Sequence, residues 1–254
     1  MVTQQQPNSS EVIYPESDGK PMADNTKQFR WIVVIEQNLE WLFTDEPTVF
    51  VAGDLLWYPV EGNNRLCTAP DAMVVFGRPK GDRGSYLQWR EDNIPPQVVF
   101  EILSPGNTQR EMNRKLLFYS TYGVEEYYLY DPDQNRLEGW CRSEDPLLDQ
   151  INSMDGWVSP RLGIRFELGD ELQLYRPDGA PFLSFAAINQ LLEQERQRAE
   201  QERQRAEQER QRAEQERQRA EQERQRAAEI EVILQQYRDA FGTLDSDRFG
   251  ELDP

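Results

Sequence analysis

A chain of 254 residues with a net charge of −18 and no histidine cannot build a Ser-His-Asp or Cys-His triad or an HNH-type site, and it lacks the commonest zinc ligand. Its catalysis, if any, falls to carboxylates, Lys, Tyr, Ser or a hard cation held by oxygens, with magnesium the best match. Residues 1–192 hold 29 acidic and 16 basic side chains, a balance that opposes nonspecific attraction to nucleic acid, so such a partner has to be met by a local basic patch.

Two cysteines, Cys67 and Cys141, make no disulfide framework in a chain of this length and point to a reducing, cytoplasmic setting. No apolar run reaches the roughly 18 residues a membrane span needs, and the N-terminus shows no basic-then-apolar signal region. Residues 1–27 are polar and rich in Pro and Ser, which predicts a disordered or extended lead-in. From Gln28 to Phe43 the residues Trp31, Val34, Ile35, Leu39 and Leu42 recur at helical spacing and predict an amphipathic helix stopped before Pro47. The stretch Thr48–Tyr58 is β-branched and aromatic and predicts a strand or two; Leu66–Phe76 predicts the next, with Asp71 just ahead of its apolar run. Between 77 and 92 lies a glycine-rich, locally basic loop in which Arg78, Lys80, Arg83 and Arg90 alternate with Tyr86 and Trp89. Those four cations are candidates for phosphate contacts, or else the tip of a solvated hairpin.

The centre of the chain is QVVFEILSPGNTQREMNRKLLFYSTYGVEEYYLY, residues 97–130. It reads as a buried strand, a tight break, a helix opened at Thr108, and a second strand. Glu101 stands inside an otherwise apolar strand, where a carboxylate is costly unless paired or bound to metal. If Asp71 lies on a neighbouring strand, Asp71, Glu101 and Lys115 converge, and two carboxylates with a lysine suit a divalent-metal nuclease. A lysine there would orient or deprotonate a water and offset charge in the transition state; Arg114 is the alternative to Lys115. Glu111 sits one turn before Lys115 and is a possible further site residue, but Thr108-Gln109-Arg110-Glu111 also fits a capping box.

Further strands are expected over 136–142 and around Trp157, Arg165–Glu167 and Glu171–Tyr175, and a last helix from Phe182. From Glu193 the chain repeats EQERQRA, with Ala199, Ala206, Ala213, Ala220 and Ala227 at intervals of seven. One small apolar residue per heptad is less than the two a stable coiled coil asks for. Pairs such as Glu200–Arg203 and Arg198–Glu202 favour a lone solvated helix, on the order of 60–70 Å long. Ile230, Val232, Ile233, Leu234, Tyr237 and Phe241 then form a short apolar patch that can dock or self-associate; a homodimer is the expected assembly. Residues 242–254 are expected to fray.

Ala69-Pro70-Asp71 with Val74-Val75, then Val99-Phe100-Glu101-Ile102-Leu103-Ser104-Pro105, Lys115 and Tyr119, Gly123-Val124-Glu125-Glu126-Tyr127-Tyr128 and Asp131-Pro132 together resemble the Uma-type restriction endonuclease family of the PD-(D/E)XK nuclease superfamily. The resemblance covers about 28–192 and excludes the repeat. It implies an α/β fold with a restriction-endonuclease-like core, a central mixed sheet flanked by helices. It also implies a magnesium-dependent site, with manganese a possible substitute, and DNA as substrate. By position it makes Asp71 and Glu101 metal ligands and Asp54 an additional acidic candidate. The superfamily's lysine would fall two residues after the Glu, where Leu103 stands; in this family it matches Lys115 on the following helix. The expected organisation is a lead-in (1–27), a nuclease-like domain (28–192), a repeat helix (193–241) and a short tail. The expected function is DNA phosphodiester hydrolysis. The rival is an inactive nuclease-fold scaffold that recruits partners through its C-terminal helix.

Overall fold

A computed structural model describes residues 12–19 and 21–242. The chain divides into two compact units, Met1–Ile188 and Asn189–Pro254. In the first unit α1 (Thr26–Leu42) precedes β1 (Val49–Ala52), β2 (Trp57–Tyr58), β3 (Ala72–Phe76), β4 (Tyr86–Leu87), a 3₁₀ turn (Gln88–Arg90) and β5 (Val98–Ile102). Then follow α2 (Gln109–Thr121), β6 (Glu126–Asp131), β7 (Arg136–Arg142), β8 (Leu148–Gln150), β9 (Arg165–Leu168), β10 (Leu172–Tyr175) and α3 (Phe185–Phe241). A six-stranded sheet runs in the order β1-β3-β5-β6-β7-β8. Its pairs are antiparallel except β5 with β6, which are parallel and joined through α2. This is a restriction-endonuclease-like α/β fold, a mixed sheet with helices on its faces.

The alternation of side chains along the central strands sorts the core into two layers. Val98, Phe100 and Ile102 of β5, with Ala72 and Val74 of β3, meet Ile32, Ile35 and Leu39 of α1 and the β9–β10 hairpin. The opposite face sends Val99 of β5 with Met73 and Val75 of β3 against Met112 and Tyr119 of α2 and Trp57 of β2. Both faces are covered, which is why the inner strands read as continuous apolar runs.

Helix α1 begins where Asn25 accepts hydrogen bonds from the N–H groups of Lys27 and Gln28, each 2.9 Å. One turn in, the buried Gln28 donates to the carbonyl of Ile102 at 2.8 Å, tying the start of α1 to the end of β5. Helix α2 opens on Thr108, which accepts from Glu111 N–H at 3.3 Å, and closes at Gly123, whose φ of +97° suits a residue without Cβ.

Some elements differ from expectation. The strand predicted over Leu66–Phe76 starts only at Ala72; Pro70, with no N–H, interrupts the ladder, and Thr68 pairs singly with Trp57 instead. The loop at 77–92 is no simple hairpin tip: Tyr86–Leu87 pairs in parallel with Trp57–Tyr58 and leads into the 3₁₀ turn. Trp157 lies in a loop, and the last helix begins at Phe185, after Ser184 accepts from Ala187 N–H. Part of the lead-in is seated on the body: Tyr14 packs on Tyr58 and Trp89, and Tyr58 Oη donates to Pro15 O at 2.9 Å. Residues 1–11, Lys20 and the tail from 243 lie outside the described residues.

A second buried carboxylate shows how this fold treats a purely structural one. Glu126 on β6 is 1 % exposed. It accepts from the Ser159 and Tyr128 hydroxyls and from Arg161 N–H, so every partner is a donor with no place for a second N–H. Glu126→Gln should therefore lower stability by about 1–3 kcal/mol, read as a drop in Tm, and leave divalent-cation binding unchanged.

In the second unit every described side chain from Asn189 to Ala240 is exposed. A chain ending at Leu192 is expected to melt within about 2 °C of the full chain, since surface changes away from packed features stay small. A large loss of Tm on truncation would contradict this independence.

Candidate active site

The register of β3 against β5 decides the geometry. Ala72 pairs with Phe100 and Met73 with Val99, so one step further the same register sets Asp71 opposite Glu101. Both lie at strand positions of the α2 face, and both are buried, at 8 % and 3 % exposure. Asp71 Oδ2 accepts from Ile102 N–H at 2.6 Å, a bond to the strand that carries Glu101. Glu101 Oε2 accepts from Lys115 Nζ at 2.6 Å, and Oε1 accepts from the Tyr119 hydroxyl. Glu111, Lys115 and Tyr119 are four residues apart along α2, so they share one face of it. Tyr119 is itself held by Trp57, whose ring lies parallel to it at 6.3 Å between centroids.

Asp54 follows the end of β1 in a left-handed conformation, φ +48°, and its N–H donates to Pro70 O at 3.0 Å. That link places it beside the start of β3. Asp54, Asp71, Glu101, Glu111 and Lys115 all line one cleft of about 460 Å³. Asp18 and Asp24 line it too, so among the described residues six carboxylates face one ammonium. Asp24 also accepts from the Ser104 hydroxyl just past β5.

This crowding sets the protonation. Burial, then the nearby Glu101, pushes the Asp71 carboxyl well above the usual range, against the pull of Lys115 and the Ile102 N–H. Burial and Asp18 raise Asp54 in the same direction. Burial alone would lower Lys115, but Glu101 and Asp71 outweigh it and hold the ammonium above its ordinary value. Lysine is thus a charged partner in this arrangement, and the acids form an anionic cluster that a cation would relieve.

Among the described residues no three acidic or cysteine side chains are spaced to grip a metal by themselves. Magnesium does not require that, since it binds through one or two carboxylates and fills its octahedron with water and phosphate. Glu101 has a lone pair left on each oxygen after its two hydrogen bonds, and the Asp71 bond uses Oδ2. The donor set therefore fits a hard cation at Asp71 and Glu101.

The basic loop is otherwise engaged. Arg78 and Arg83 both bind Glu91 at 2.8 Å, Arg78 also pairs with Asp92, and Lys80 binds Glu40 at 2.8 Å. Arg90 is exposed on the 3₁₀ turn. None of the four is among the residues that line the cleft. Sequence reasoning gave no role to Tyr119, Asp18 or Asp24. For Tyr119 a signal existed, its spacing of four from Lys115; for the two aspartates none did.

A mixed sheet that sets a strand-end aspartate against a buried glutamate, with a helical lysine upon it, defines a domain of the restriction-endonuclease-like class. The chain belongs to the Uma2 family, described as "Putative restriction endonuclease", whose family model matches residues 21–173. The chain is also similar to a solved structure described as a putative nuclease belonging to DUF820 from Anabaena variabilis ATCC 29413. The two share 17% identity with a TM-score of 0.41, over 61% of this chain and 84% of that one. No match was found among curated proteins.

Proposed function

We propose that this protein is a magnesium-dependent endonuclease that hydrolyses DNA phosphodiester bonds, with manganese able to replace magnesium. The observation that carries this reading is the Asp71 carboxylate hydrogen-bonded to the Ile102 N–H next to Glu101, with Lys115 hydrogen-bonded to Glu101. Asp71 and Glu101 would hold the cation, which when bound polarises a phosphate oxygen and acidifies a water. The chain's own residues supply the rest. Ile102 N–H fixes the Asp71 carboxylate, and the Tyr119 hydroxyl fixes Glu101. Lys115 Nζ stands where it can orient the attacking water and offset negative charge that grows on the phosphoryl group. Asp54 and Glu111, on the cleft wall, are additional candidates for outer contacts through water. Family membership supports nuclease activity; DNA and the cation are our assignments. We also place the protein in the cytoplasm, on its two free cysteines. No helix among the described residues is long and apolar enough to cross a membrane.

The acidity of the cleft and the engagement of Arg78, Lys80 and Arg83 by carboxylates favour a second reading, an inactive nuclease-fold scaffold. Cleavage of plasmid and of single-stranded DNA, with magnesium or manganese over a range of salt, decides between them. Cleavage by the intact protein that is lost in Glu101→Gln supports the nuclease. Failure to cleave either substrate under every cation and salt condition supports the scaffold.

A further inference from the structure

Helix α3 runs unbroken from Phe185 to Phe241, and its repeat has a hidden continuity. Counting in sevens from Ala199 forward passes Ala206, Ala213, Ala220 and Ala227 and lands on Leu234; counting back lands on Leu192. Three residues after Leu192 and after each of the five alanines stand Glu195, Glu202, Glu209, Glu216, Glu223 and, at the end, Ile230. These two sets alternate at the three- and four-residue steps of a heptad seam, the a and d positions. The seam is apolar near both ends and alternates Ala with Glu between them. All of it is exposed in the single chain, with Leu192 at 49 %, Ile230 at 57 % and Leu234 at 52 %.

We infer that two copies of this chain pair along α3 as an antiparallel two-stranded coil, in the register that sets Leu192 of one copy opposite Ile230 of the other. A parallel pair would stack each glutamate of the seam on its own twin, five like-charge layers in succession from Glu195 to Glu223. The antiparallel pair in this register has none. Glu195 meets Ala227 of the second copy, Ala199 meets Glu223, Glu202 meets Ala220, Ala206 meets Glu216, and Glu209 meets Ala213. The two-fold axis falls level with Gln211. Each glutamate lays its methylenes over a small alanine, which leaves room for the stem while the carboxylate reaches the edge. There it finds the opposite charge. Ala220, for example, is flanked at three and four residues by Arg217 and Arg224 of its own helix. The apolar pairs close the two ends, and the contact is isologous, as a two-fold dimer requires. One small residue per heptad is poor for a parallel coil and sufficient here, because alanine permits close approach of the two helices.

Sedimentation equilibrium of the full chain should give twice the 29.8 kDa of one chain. Full-length Glu195→Cys and Ala227→Cys variants report the direction. Mixed and oxidised, they should cross-link position 195 to position 227, identified by mass spectrometry of the joined peptides. Neither variant alone should cross-link at its new position, because positions 195 and 227 are about 48 Å apart along the helix. Ile230→Glu should weaken the dimer by about tenfold or more, and adding Leu192→Lys should restore it. A mass of one chain overturns the proposal. So does self-cross-linking of each variant alone, which is the parallel result.

Discussion

Lys115→Ala is expected to lower DNA-cleavage turnover by about 100-fold or more while leaving magnesium affinity within a few-fold of the parent. On the proposed mechanism the ammonium meets charge that appears only as the phosphoryl group reacts, so its loss falls on the rate. It ligates no cation, so binding survives. The variant also leaves Glu101 buried without its partner, and breaking a buried pair costs about 3–5 kcal/mol. Melting has to be followed alongside, and saturating magnesium should recover part of the loss by supplying the missing positive charge. Lys115→Arg separates the two roles. A guanidinium can keep the pair with Glu101 and hence the fold, but it is wider, planar and spreads its charge, so it does not set a compact ammonium against the phosphoryl group. Turnover should stay low while Tm returns. Equal cleavage by Lys115→Ala and the parent would remove Lys115 from the reaction and make Arg114 the next residue to test.

Asp71→Asn and Glu101→Gln should each abolish magnesium binding measured by titration calorimetry. The two variants should then diverge in stability. Asn can still accept the Ile102 N–H through its carbonyl oxygen, so Asp71→Asn keeps that bond and removes a charge. The Asp71 carboxyl is held above its unfolded value by burial and by Glu101, so protonation favours the folded state. Its stabilising contribution is complete below the ordinary carboxylate range and is lost as pH rises through the raised value. Near neutral pH and without divalent cations, Asp71→Asn should gain on the order of 1–2 kcal/mol, a few degrees in Tm. The gain should vanish on acidification. Glu101→Gln has no such benefit, because it strips the anion from beside Lys115. Magnesium affinity unchanged in both variants would remove the cation site from Asp71 and Glu101.

The unit from β5 through α2 to β6 was legible in the sequence because each of its signals is local. An apolar run made the strand, the Thr108 hydroxyl opened the helix, and Lys115 lay close enough in sequence to Glu101 for one helical crossover to join them. The pairing of Asp71 with Glu101 needed a guess about strand neighbours, and the β3–β5 register supplies what the sequence could not state. The parallel pair of β2 with β4 was invisible, since two-residue strands carry no periodicity. So was the seating of Tyr14 and the lining of the cleft by Asp18 and Asp24. That polar segment has no pattern of its own and takes its place from distant rings and hydroxyls. The basic loop was legible only in part. Composition reports the charges of Arg78 and Arg83 but not that Glu91, in the same loop, already takes both.

The ring of carboxylates around the cleft has a kinetic corollary. A bare cleft lined, among the described residues, by six acids and one ammonium turns away a polyanion, and it does so more strongly at low ionic strength, where screening is weakest. On the nuclease reading the two ligands therefore load in an enforced sequence, divalent cation ahead of DNA. DNA affinity should be nearly absent in a chelator and rise with cation occupancy. Initial rates should show a cation requirement that excess substrate cannot overcome. Removing acids that hold no cation, for instance by Asp24→Asn on the cleft wall, should relax that order and let DNA bind earlier.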